Sequence, residues 1–183
     1  MKIDEFSNGF QFSESHQCQV NRPAASVYQA IKQVRSTDIR LFWPMMKLRG
    51  IFSETKRQSF NEPIIQEAQR VGFYLLHQQN NQEVLLGLIG QFWKLRSSPP
   101  IPISDPTMFN EFQHPDYAKA TLNFFIQPLT DNKVRLSTET RIQLSSIEAH
   151  KKFRVYWYCV RLGSGLIRRQ WLAAIKRKAL QIN

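Results

Sequence analysis

Few side chains in this chain could do chemistry, and their spacing narrows what that chemistry is. Four histidines stand at His16, His77, His114 and His150, and two cysteines at Cys18 and Cys159. None of the histidines has a second ligand at metal-binding spacing, and the cysteines are 141 positions apart in the sequence, so no metal site is expected. A Cys–His nucleophile pair would need the fold to bring remote residues together. The simpler reading is a pair of inert thiols, since both cysteines fall on apolar faces. Gly87 and Gly90 lie inside the apolar run EVLLGLIGQFW, the wrong setting for a phosphate-cradling loop. Glu139 and Arg141 share one strand face two residues apart, which suits an ion pair. For Glu139 to act as an acid or base it would have to turn inward, against the face set by Val134, Leu136 and Ile142. Trp93, Trp157 and Trp171 could stack bases or sugars, but they recur beside other apolar residues and read as core.

The charge is concentrated. Of the formal net charge of +11, the segment from Ile147 to Asn183 carries nine Lys/Arg against Glu148 alone. In that segment Phe153, Trp157, Val160, Ser164, Ile167, Trp171, Ile175 and Ala179 follow steps of three and four, the stripe of one long helix. Gly163 and Gly165 each cost such a helix about 1 kcal/mol, yet the stripe keeps its phase across them. Small residues there admit a close backbone approach or a kink, and a true break of the helix at the glycines is the alternative. Arg168, Arg169, Lys176, Arg177 and Lys178 form a basic end. It reads as a solvated helix face, with polyanion binding as the alternative.

The remaining elements are strands and short helices. Glu14 to Val20 alternates, with His16, Cys18 and Val20 on one face. A helix with Val27, Ala30, Ile31 and Val34 follows, capped by Asn21 with Pro23 in its first turn. A second short helix is expected from Asp38 to Met46, limited by Pro44. Val71 to His77 and Glu83 to Trp93 read as strands, the latter apolar on both faces, with Gly87 and Gly90 marking a bulge or bend. Lys94 to Asp116 holds five of the nine prolines and one short helix capped by Ser104 or Asp105. It is either a surface crossover or a lid whose inner face is Phe109 and Phe112. Ala118 to Gln127 and Lys133 to Ile142 alternate about a Thr130–Asp131–Asn132 turn, an antiparallel hairpin with one dry face.

A chain of 183 residues makes one core, so 1–183 is expected to be a single domain. No apolar run is long enough to span a bilayer, and the opening MKIDEFSNGF does not look like a signal peptide. A cytoplasmic location with reduced thiols is therefore expected.

Five stretches, SHQCQVNRPAASVYQAI, LGLIGQFW, YAKATLNFFIQP, LSTETR and FRVYWYCVRLGSGLIRRQWLAAIKRKA, give the chain a resemblance to the START-like (SRPBCC) helix-grip superfamily, in particular an uncharacterised bacterial branch. The resemblance runs from about Glu14 to Ala179. It implies an α+β fold: a curved antiparallel sheet of about six or seven strands wrapped round the C-terminal helix, with two short helices after the first strand. It also implies a cavity of the kind that holds lipids, sterols or polyketides, with Phe153 and Trp157 on the half of the helix that lines it.

These observations set three expectations. The first is binding, transport or sequestration of an apolar small molecule without cofactor or metal. Its walls would be Phe73, Leu75, Leu86, Leu88, Phe92, Phe124, Ile126, Leu136, Phe153 and Trp157, with Thr138 and Thr140 orienting a polar atom. The second is a cyclase or dehydratase acting on a polyketide-like molecule, which needs an ionisable group inside; His16 and His77 are the histidines on inward faces. The third is an interaction module whose basic helix meets RNA, ribosome or an anionic membrane, of which weak polyanion contact is the minimal form.

Overall fold

The computed structural model describes residues 1–39, 62–94 and 99–182. Five strands form one antiparallel sheet: β1 (Phe12–Val20), β2 (Tyr74–Gln79), β3 (Glu83–Gly90), β4 (Ala118–Thr130) and β5 (Lys133–Leu144), in the order β1-β5-β4-β3-β2. The helices are α1 (Ile3–Phe6), α2 (Ala24–Gln33), α3 (Ile64–Arg70), α4 (Pro106–Glu111) and the long α5 (Ile147–Gln181). The architecture is α+β, with the C-terminal helix held against one face of the sheet. Among the described residues the sheet has five strands rather than six or seven. Most of the second short helix expected at Asp38 to Met46 lies outside the described residues.

The β4–β5 hairpin forms as its alternation requires, with Asp131 and Asn132 at the turn. Register then fixes the two faces. Leu122 pairs with Thr140 and Leu86, Phe124 with Thr138 and Val84, and Glu14 and His16 on β1 pair with Thr140 and Thr138. These side chains share the inner face, toward α5. The outer face carries Leu85 and Ile89, which pack with Ile3, Leu76, Ile103 and Phe109 in a separate apolar cluster. Strand β3 is therefore buried on both sides, as its unbroken apolar run implies. Polar groups also lie beneath α1 on that outer face. Asn123 Nδ2 donates to Glu83 Oε1 at 2.9 Å, and Arg141 pairs with Glu139 and Asp4 at 2.8 Å each.

Several local expectations change. Pro23, not Asn21, occupies the N-cap of α2, and no side chain caps that helix. The bulge lies in β2 between Leu75 and His77, whereas the β3 ladder with β4 runs unbroken past Gly87 and Gly90. Gly87 is small for a packing reason: a Cβ there would come within 2.5 Å of Leu76 Cδ1 and 2.9 Å of Phe109 Cε2. Helix α4 starts as expected, with Asp105 Oδ1 accepting from Met108 N at 2.9 Å.

Helix α5 runs unbroken through both glycines. Ser146 Oγ caps it by accepting from Ala149 N at 3.1 Å, and Lys178 in its last turn complements the helix dipole. At about 1.5 Å per residue its 35 residues span roughly 50 Å. It rests chiefly on α2, β1 and β5. Long aromatic side chains bridge from it toward β4 and β3. Trp171 meets Phe124 edge-on at 4.7 Å between centroids, and Trp93 meets Phe153 at 6.1 Å.

Candidate functional site: a charged layer inside the grip

The interior between sheet and helix is not uniformly apolar. It holds two apolar clusters. One contains Leu86, Leu122, Phe124, Ile126, Leu136 and Trp171, with Phe73 and Leu75 packed against it. The other contains Ala120, Ile142, Phe153 and Trp157, with Phe12, Leu88 and Phe92 at its margin. The ten expected wall residues therefore all stand on the inner side of the sheet or on α5, but divide six and four between the two clusters. Phe124, Leu136 and Phe153 are almost wholly buried by protein.

A polar layer joins the two clusters. On β1, Glu14 Oε1 and His16 Nε2 lie 2.9 Å apart, with side chains only 9% and 14% exposed. On β5, Thr138 is fully buried and accepts a hydrogen bond from Arg168 Nη1 at 3.2 Å. Arg169 Nε reaches His16 Nδ1 at 3.5 Å from the rim. Thr140 Oγ1 and Trp171 Nε1 are buried with no hydrogen-bond partner among the described residues. Burial pushes the Arg168 guanidinium down to a pKa of about 10, against the opposing pull of the Glu14 charge.

The long helix can approach this layer because of Gly165. A Cβ at that position would collide with Glu14 Oε1 and come within 3.2 Å of His16 Nε2. Residues 165, 168 and 171 follow one another at three-residue steps, so the glycine, the guanidinium and the indole share one helix face. The glycine that looked costly in the sequence is thus the place where the helix backbone meets the carboxylate.

The structure also redistributes several expected site residues. Phe109 and Phe112 lie with Leu85 and Ile89 on the outer face of the sheet, so α4 does not cover the inner face and the lid has no counterpart there. Across the β2 bulge His77 pairs with Leu85 of the outer cluster, which leaves His16 as the inward histidine of the two. Cys159 is exposed rather than a core thiol, while Cys18 is partly buried on the inner side, where burial pushes its thiol pKa up against the pull of Lys176. The basic end does not point uniformly outward: Arg168 turns to Thr138, and Arg177 Nη2 donates to Asp38 O at 3.0 Å. The sequence signal for the site was the Glu14–His16–Cys18 alternation on β1, together with Arg168 in phase with Gly165 and Trp171.

A separate cleft of about 170 Å³ opens beside α2, α3 and the β2–β3 edge, lined by Lys32, Ile65, Gln69, Leu75, Gln78 and Val84. That volume is too small to enclose a drug-sized molecule. No helix among the described residues is long and apolar enough to cross a membrane, and no described cluster of His, Cys, Asp and Glu could hold a metal ion.

No family model matches the sequence, and no curated protein is significantly similar to it. Solved structures with the same general layout exist at low similarity. A hypothetical protein from Helicobacter pylori superposes with a TM-score of 0.43 at 10% identity, over 94% of this chain and 90% of its own. A conserved protein from Geobacillus kaustophilus gives 0.38 at 7% identity, over 93% and 96%. The Zhui aromatase/cyclase from a Streptomyces species gives 0.33 at 9% identity, over 93% and 94%. Scores this low carry no argument about this chain, whose function is read from its own residues.

Proposed function

We propose that this protein binds an apolar small molecule between the inner face of the sheet and the long helix, with the charged layer holding the molecule's polar end. The observation that carries this reading is the charged layer itself, set between two apolar clusters. Placing ionisable groups inside a helix–sheet interface costs several kcal/mol per ion before pairing, and apolar residues of similar volume would usually serve stability as well or better. Perturbed charges in such a place mark functional sites more often than chance allows. The aromatic and aliphatic side chains on either side supply the apolar contact, at about 25 cal/mol per Å² of ligand surface buried before association costs.

A proton-transfer enzyme is the second reading, favoured by the carboxylate–imidazole pair of Glu14 and His16. An oriented imidazole is what a general base requires. In this structure both ring nitrogens already have neighbours, Glu14 on one side and Arg169 on the other. Catalysis would therefore need the Arg169 contact to open.

The test is a methyl-resolved NMR titration with 1-decanol. Shifts are expected at Leu122, Leu136 and Ile142 on the inner face. Shifts confined to Leu85 and Ile89 on the outer face, or none at saturation, would overturn the reading.

A further inference from the structure

The geometry points to Arg168 and Thr138 as a seat for a carboxylate, so that the molecule bound in the grip is an apolar acid rather than a neutral lipid or sterol. The inference rests on the apolar-ligand reading and adds the chemical class of the ligand.

Three independent observations lead there. First, the buried guanidinium of Arg168 has no carboxylate in contact with it among the described residues, since the nearby Glu14 is taken by His16. Arg169 lies exposed at the rim and adds positive charge on the solvent side. A buried cation without a contact counter-ion is costly, and an anion placed against it lowers the cost.

Second, the Arg168 donors are underused. A guanidinium offers five N–H donors in a rigid fork matched to a carboxylate. Among the described residues Arg168 donates to one acceptor, Thr138 Oγ1. Glu14 does not complete the fork: its carboxylate is engaged by His16 and makes no ion pair with Arg168 within the usual contact distance among the described residues.

Third, polar atoms beside the fork wait for a partner. Thr140 Oγ1 stands next to Glu14 in register and is buried without one, and so is the indole N–H of Trp171, one helical turn from Arg168. Thr138, which accepts from Arg168, keeps its own hydroxyl hydrogen to donate. A carboxylate has acceptor sites enough for the guanidinium fork and for one such hydroxyl. A neutral alcohol would satisfy one of these groups and leave the guanidinium without a contact counter-ion.

The experiment compares decanoate with 1-decanol at pH 7.5 by isothermal titration calorimetry, in the wild-type chain and in Arg168→Gln. The wild type is expected to bind decanoate at least about tenfold more tightly than 1-decanol, the ratio set by a charge-assisted, desolvated hydrogen-bond pair. Arg168→Gln is expected to bring the acid-over-alcohol ratio close to one. If that variant does not fold, Thr138→Val, close in shape but without the hydroxyl, is expected to lower the same ratio several-fold. Equal binding of acid and alcohol by the wild type, or a ratio unchanged in the variants, overturns the carboxylate seat and leaves the apolar-ligand reading standing. Failure of both probes to bind overturns the apolar-ligand reading and the seat with it.

Discussion

Replacing Gly165 by alanine sets two effects of known size against each other. Alanine is favoured over glycine inside a helix by about 1 kcal/mol, and Gly165 lies in the interior of α5, so propensity alone predicts stabilisation. The new methyl group, however, would occupy the place of Glu14 Oε1. That oxygen is the tip of a side chain and can move, but moving it breaks the 2.9 Å contact with His16 in a largely buried setting. Losing a hydrogen bond to a charged group in such a place costs about 1.5–3 kcal/mol. The expected net effect is a destabilisation of about 0.5–2 kcal/mol, or a few degrees in Tm for a chain of this size. The second half of the experiment is a cycle. In a Glu14→Ala background the collision with the carboxylate is gone, and His16, released from Glu14, can give the few tenths of an ångström that its 3.2 Å approach requires, so Gly165→Ala should stabilise by about 1 kcal/mol, giving a coupling of about 1.5–3 kcal/mol between the two sites. Urea unfolding followed by tryptophan fluorescence reads both arms. Stabilisation of the wild-type background by Gly165→Ala, or the same change in both backgrounds, would refute the claim that the glycine exists to admit the carboxylate.

Two further predictions concern other buried or exposed groups. Burial raises the pKa of Glu67 above its ordinary value of 4.5, against smaller contributions from neighbouring hydrogen bonds. The ionised form is then the strained one, so its cost is present at neutral pH and is relieved as pH falls through the raised value toward 4.5. Glu67→Gln should therefore be more stable than wild type at pH 7, with the difference shrinking on acidification; thermal unfolding from pH 4 to pH 8 checks the sign. Of the two thiols, the exposed Cys159 should react with a disulfide reagent well before Cys18, whose thiol is held up in pKa by burial. Mass-resolved labelling that modifies Cys18 first would contradict the placement of β1.

The fold was legible where one periodicity ran long enough to fix a face. The β4–β5 hairpin alternates over ten residues per strand, and the α5 stripe keeps its phase through Gly163 and Gly165, so both were readable. Alternation does not say which face of the sheet a crossing loop will cover. Strand β3 is apolar on both sides, and Phe109 packs on the outer one, the side the sequence could not choose. The charged layer was half visible. The β1 pattern puts Glu14 in phase with His16 and Cys18, but a carboxylate on a buried face runs against the rule that buried charges are rare. Arg168 was obscured by its neighbours: five basic residues near one helix end read as a solvated surface, and the inward turn of one of them follows from its phase with Trp171.

The most direct test of the ligand site inside the grip is the crystal structure of the complex with 10-bromodecanoate, with the bromine located by its anomalous signal. The account predicts the carboxylate within hydrogen-bond distance of Arg168 and Thr138, and the bromine among the inner-face side chains of Leu122, Phe124, Ile142 or Phe153. A bromine on the outer face near Leu85 and Phe109, or in the surface cleft beside Lys32 and Gln69, would contradict it.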